Sequence, residues 1–129
     1  MINLYINERR AGDVTVLDLK GRVNIRGVTV ALHKSICSLV EEGKTQILLN
    51  LASVTHIDSC GLGELISSHV TVNNKGGAIK LVHLTENLRE LMTMTKLLNV
   101  FEVYNDETAA LGSFVGQVLR IVEPQPFFM

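Results

Sequence analysis

Tryptophan is absent from these 129 residues, and aromatic side chains make up only 5% of them. That leaves too little flat apolar surface for a platform on which bases stack. Neither sign of charge is in surplus: 12 Lys and Arg stand against 13 Asp and Glu, a net charge of -1. Nothing therefore draws the chain toward nucleic acid or an anionic membrane. No apolar run approaches about 18 residues, so no transmembrane helix is expected. The first residues, Met1-Ile2-Asn3-Leu4, lack a basic region leading into an apolar core, and no signal peptide is expected. Cysteine is limited to Cys37 and Cys60, which form no Cys-x-x-Cys unit. That usage points to a reduced, cytoplasmic protein.

Several catalytic and cofactor signatures are missing too. Without a Gly-x-x-x-x-Gly-Lys loop, a P-loop nucleotide site is not expected. Gly61-Leu62-Gly63 opens like a dinucleotide fingerprint, but Ile66 stands in the place of the third glycine. No Gly-x-Ser-x-Gly elbow surrounds Ser59. The four histidines, His33, His56, His69 and His83, form no His-Glu-x-x-His pair and read as no metal set with a cysteine. His33 is expected on a solvated helix face, and His69 and His83 as packed or half-exposed residues. His56 lies three residues before Ser59, yet strand alternation sends neighbouring side chains to opposite faces, against a Ser/His dyad. No constellation of acid, base and nucleophile appears, so the chain reads as a non-enzyme with no cofactor and no metal.

What the chain does have is 47% apolar residues, enough for one core at this length. Residues 4–6 and 14–19 are short β-prone runs on either side of Gly12-Asp13, which reads as an antiparallel hairpin. Residues 22–26 form an edge strand or loop. Val28, Leu32, Ile36, Leu39 and Val40 share one face of a first helix, which Gly43 stops. Residues 47–51 are apolar at nearly every position, as expected of a strand covered on both faces. A second helix buries Leu62, Leu65, Ile66, His69 and Val70, and ends at Asn73-Asn74-Lys75-Gly76-Gly77. Residues 78–83 form a further strand, and Thr85 caps a third helix carrying Leu88, Leu91 and Met92. A strand over 100–104 and a last helix with Ala110, Leu111, Phe114, Val115 and Val118 inward complete the pattern. Pro124 and Pro126 make residues 123–129 a tail, with an apolar end at Phe127-Phe128-Met129. The expectation is one α/β domain over residues 1–122: a mixed sheet of about five strands, with about four helices mostly on one face.

One stretch stands out: Thr55-His56-Ile57-Asp58-Ser59-Cys60-Gly61-Leu62-Gly63-Glu64. It reads as the passage from a buried strand, through a short loop, into the second helix. Ser59 is expected there as the helix cap, in a place where free amides and the helix dipole also suit an anion. Asp58 is either a second capping carboxylate or a group that orients the serine. Gly61 and Gly63 either permit close helix packing or keep a partner surface flat. Leu62 is either core or contact, with its helical spacing favouring core. Cys60 is either a small residue wanted in a tight turn or a redox thiol.

Asp58-Ser59-Cys60-Gly61-Leu62-Gly63 resembles the signature of the STAS family, which includes the bacterial anti-sigma factor antagonists. Leu49-Asn50-Leu51-Ala52-Ser53-Val54, Gly21-Arg22-Val23-Asn24 and Gly76-Gly77 are similar to its other landmarks, so the likeness spans about residues 3–120. The resemblance implies an antagonist that binds an anti-sigma factor, itself a serine protein kinase, and so frees a sigma factor. It implies phosphorylation at Ser59, which ends that binding, and a metal-dependent serine phosphatase that restores it. Asp58, Cys60, Gly61, Leu62, Gly63, Arg22, Asn24 and Arg26 are the partner-binding residues it implies. A homodimer, a scaffold role in a larger signalling assembly and a small-ligand-binding role stay open. Two positions depart from the family pattern. Cys60 replaces the usual Ser or Thr, which excludes a second phosphorylation there. Asn24 stands where many relatives carry Asp, removing a charge from the expected partner surface.

Overall fold

The computed structural model of the chain describes residues 4–23 and 28–122. Asn24 and Arg26, expected at the partner surface, and the tail over 123–129 lie outside the described residues. The elements run β1 (Leu4–Ala11), β2 (Val14–Val23), α1 (Val28–Glu41), β3 (Gln46–Ile57), α2 (Ser59–Asn74), β4 (Ala78–Val82), α3 (Glu86–Met94), β5 (Glu102–Tyr104) and α4 (Glu107–Val122). The five strands lie in one sheet in chain order. β1 and β2 pair antiparallel across the two-residue turn Gly12-Asp13, where Gly12 takes a φ of 64° that other residues adopt at a cost. Every later pairing is parallel, with a helix in each crossover.

The sheet separates two cores. On one side Leu17, Leu19, Ile47, Leu49, Leu51, Ile79 and Leu81 meet the inner faces of α1, α2 and α3. On the other, Val14, Val16, Leu48 and Val82 meet Ala110 and Phe114 of α4. Three helices thus share one face, as the sequence pattern suggests. Residues 47–49 are fully buried on both faces, which explains why every one of them is apolar. Above the second core, Arg9 of β1 bridges Asp18 of β2 at 2.6 Å and Glu107 at the start of α4 at 2.6 Å. Asn50 of β3 donates to the same Asp18 at 2.8 Å, so one polar cluster ties three strands to α4.

Two expectations need correction. The strand before the motif does not end near Leu51; β3 runs on to Ile57, and no loop intervenes before α2. β3 carries an extra residue relative to β2 twice, between the pairs Asp18↔Asn50 and Lys20↔Ser53, and between Gly21↔Val54 and Arg22↔His56. These bulges change the spacing of buried positions from two to three: Leu51, Val54 and Ile57. A search for period two misses such a strand. Val70, expected inward, is 49% exposed. Ser68 and Val72 take the inward positions of α2 instead, and the Ser68 hydroxyl is satisfied by donating to Glu64 at 2.9 Å.

Candidate functional site

The site begins where β3 stops. Asp58 has an extended backbone (φ -109°, ψ -175°), and its Oδ1 accepts the Gly61 amide at 2.9 Å. Its carbonyl accepts the Leu62 amide at 2.9 Å. These are the two contacts of an N-cap residue. Asp58 is therefore the cap, and Ser59, which the sequence reading expects in that role, is the first residue of α2. A carboxylate accepts an amide at least as well as a hydroxyl does, and it adds a charge that the positive helix end favours. The capping role falls to Asp58, and Ser59 is released from it.

The next residues divide by burial. Gly61 is buried, and Leu62 is 6% exposed within the main core. Leu62 is thus a core residue, the alternative that its helical spacing favours. It anchors the first turn from beneath. Cys60 and Gly63 are exposed. A Cβ built on Gly63 would meet nothing within 4 Å. No described residue therefore requires glycine there, although glycine inside a helix costs about 1 kcal/mol relative to alanine. Packing explains Gly61 better than it explains Gly63.

Arg22 lies opposite His56 in the β2–β3 register, and Val23 lies opposite Ile57. The sheet thus brings the backbone of Arg22 beside the strand end that feeds Asp58. Next to this strand end, residues 54–57 and the α3 residues Leu88 and Leu91 line a groove of about 250 Å³. Thr85, at its rim, caps α3 by accepting the Leu88 amide at 3.3 Å, as its position suggests. His56 is exposed on β3. His69 packs edge-on against Phe101, with ring centroids 5.1 Å apart, in keeping with the packed role expected of it. No group of three or more His, Cys, Asp or Glu among the described residues could hold a metal. Among the described residues no helix is long and apolar enough to cross a membrane.

His33 is not simply solvated. Its Nδ1 lies 2.9 Å from Glu64 Oε2 of α2, and its Nε2 lies 3.5 Å from Cys37 Sγ. The His33–Cys37 spacing of one helical turn is visible in the sequence. The crossing to Glu64 is not, because the helix packing creates it.

At the end of a bulged strand an aspartate thus caps a helix whose start carries the exposed Cys60 and Gly63. The anti-sigma-B factor antagonist of Bacillus subtilis is 24% identical over 102 residues, covering 79% of this chain and 92% of that protein. Among solved structures, an anti-sigma factor antagonist from Mycobacterium paratuberculosis superposes with a TM-score of 0.76 at 20% identity, covering 86% of this chain and 93% of that one. The Bacillus cell fate determinant SpoIIAA, solved in its phosphorylated form, superposes with a TM-score of 0.64 at 17% identity, covering 81% and 96%. The STAS domain family matches residues 5–110, most of the chain and all of the sheet but its first residue, so this protein belongs to the STAS domain family.

Proposed function

We propose that the protein is a non-enzymatic regulatory switch, an anti-sigma factor antagonist whose contact surface centres on the first turn of α2. In the unmodified state this turn docks on an anti-sigma factor that is also a serine kinase, and the sigma factor is released. Transfer of a phosphoryl group to Ser59 ends the docking, and a metal-dependent serine phosphatase resets it. The observation that carries the reading is Gly63: an exposed helical glycine with open space where its side chain would be. Such a residue is explained by something that approaches from outside. Cys60 beside it, Arg22 on the neighbouring strand and the segment with Asn24 and Arg26 would complete the contact.

The physics of the switch follows from the cap. Asp58 already takes the Gly61 amide, while amides at the start of a helix have no acceptor within the helix itself. A phosphate at Ser59 would be held there by those donors and by the dipole. It would bring roughly -1.5 to -2 charges close to the Asp58 carboxylate. The free domain tolerates this, because water screens it. A partner pressed against the turn would have to desolvate both anions, so binding is lost while the fold persists.

The test compares three proteins against the same anti-sigma factor. Ser59→Ala should bind as wild type does and gain no mass with kinase and ATP. Ser59→Asp should bind at least about tenfold more weakly, through like charge at a desolvated surface. Equal binding by all three, with no phosphate on the wild type, would end this reading.

A further inference from the structure

We propose that Cys37 is a reactive thiol that exchanges with low-molecular-weight disulfides such as oxidised glutathione, with His33 as its proton acceptor and Glu64 as the residue that positions His33. This inference is independent of the Ser59 switch.

Cys37 and His33 lie one turn apart on α1, on the flank that faces α2, with Sγ 3.5 Å from Nε2. Across the seam, Nδ1 lies 2.9 Å from Glu64 Oε2, which also accepts the Ser68 hydroxyl at 2.9 Å. A single neutral tautomer satisfies both ring contacts: Nδ1–H donates to the carboxylate, and Nε2 accepts from the thiol. That is the order nucleophile, base, orienting acid. The orienting end is firmly held, since Ser68 is 1% exposed and the Glu64 side chain 15%. The reacting end is open: Cys37 is only partly buried, and the His33 side chain is 46% exposed. A cysteine kept only to fill space is sealed in apolar surroundings and inert. Cys60, the other thiol, is exposed but has no such imidazole partner among the described residues.

The step is balanced. The Cys37 thiol gives its proton to His33 Nε2, and the Glu64 carboxylate faces the resulting imidazolium. Sulfur then attacks one sulfur of the disulfide; the new S–S bond forms as the old one breaks. The leaving thiolate takes the proton from His33 and departs as a free thiol. Cys37 ends oxidised in a mixed disulfide, and one half of the reagent ends reduced.

The experiment follows glutathionylation of Cys37 in the full chain by peptide mass mapping, with Cys60 in the same molecules as internal reference. Cys37 should react faster in the folded chain than in the urea-unfolded chain, although folding covers part of it. His33→Gln should slow it by about tenfold or more, the loss of a positioned base. Glu64→Gln should slow it less, and nitrogen-15 NMR should then show His33 losing the Nδ1–H tautomer it holds in the wild type. A Cys37 rate no higher in the folded than in the unfolded chain, or unchanged by His33→Gln, would overturn the proposal. If His33→Gln does not fold, the folded-against-unfolded comparison decides alone.

Discussion

Asp58 and Ser59 are adjacent and both polar, yet they do different work. The cap bond belongs to Asp58 Oδ1, which holds the Gly61 amide at 2.9 Å. Asp58→Ala should therefore lower stability by about 1 kcal/mol, and Asp58→Asn by only a few tenths, since asparagine caps nearly as well. Urea unfolding of the two variants checks the order. Equal losses would mean that the charge, and not the cap bond, matters. Gly63 gives the sharper prediction. Gly63→Ala fills open solvent and removes a helix-interior glycine, so it should raise stability by about 1 kcal/mol. If Gly63 lies at the docking surface, the same variant should bind the anti-sigma factor more weakly. A more stable protein with undiminished binding would remove Gly63 from the interface.

At the level of elements, the fold hangs on how strands and helices are pinned together. The cluster Arg9–Asp18–Glu107 joins β1, β2 and α4. Hydrogen bonds from Arg9 hold both the Asp18 and Glu107 carboxyls below their ordinary values of 3.8 and 4.5, against the opposing effect of burial. The unfolded chain then takes up protons at these two groups at a pH where the folded chain does not. Their contribution to stability is full above about pH 5 and is lost as the pH falls through 4 and below. The Arg9 side chain is 39% exposed, so solvent screens part of the effect. Arg9→Met should make the decline in urea midpoint between pH 6 and pH 3 shallower than in the wild type. A decline of the same slope would place the acid sensitivity elsewhere. The Gly77 turn is a second pin: a side chain there would collide with the backbone of Thr45, which accepts the Ala78 amide at 2.9 Å. Glycine at 77 is required by close approach, in contrast to glycine at 63.

For the whole molecule, the proposed modification adds charge at the first residue of α2, which belongs to neither core. Ser59 opens α2, while the residues that hold α2 to the sheet, Leu62, Leu65 and Val72, lie on its inner face. A negative charge at a helix N-terminus is favourable in itself. Ser59→Asp should therefore keep the wild-type circular dichroism spectrum and stay within about 4 °C of its Tm, even as partner binding falls. A large drop in Tm would mean that the switch works by unfolding the domain.

Much of this was readable from residue order. The turn at Gly12-Asp13, the apolar run over 47–49, the helical stripe Leu32, Ile36 and Leu39, and the cap at Thr85 are local features, and local chemistry determines them. The hexapeptide that marks the family is local too. What the residues alone left open depends on partners distant in sequence. β3 extends to Ile57 because β2 pairs with it through two bulges, and a bulge breaks the two-residue period that would announce a strand. Val70 points outward and Ser68 inward because packing of α2 on the sheet buries Leu65, Ser68 and Val72; Glu64, one turn back on the same helix, then receives the Ser68 hydroxyl. Asp58, not Ser59, caps α2, since the strand delivers Asp58 in the extended conformation a cap needs. The meeting of Cys37, His33 and Glu64 exists only where α1 and α2 pack together. Sequence determined which elements form and what chemistry each carries; tertiary packing decided which of those groups face one another, because hydrogen bonds between elements depend on distance in space and not along the chain.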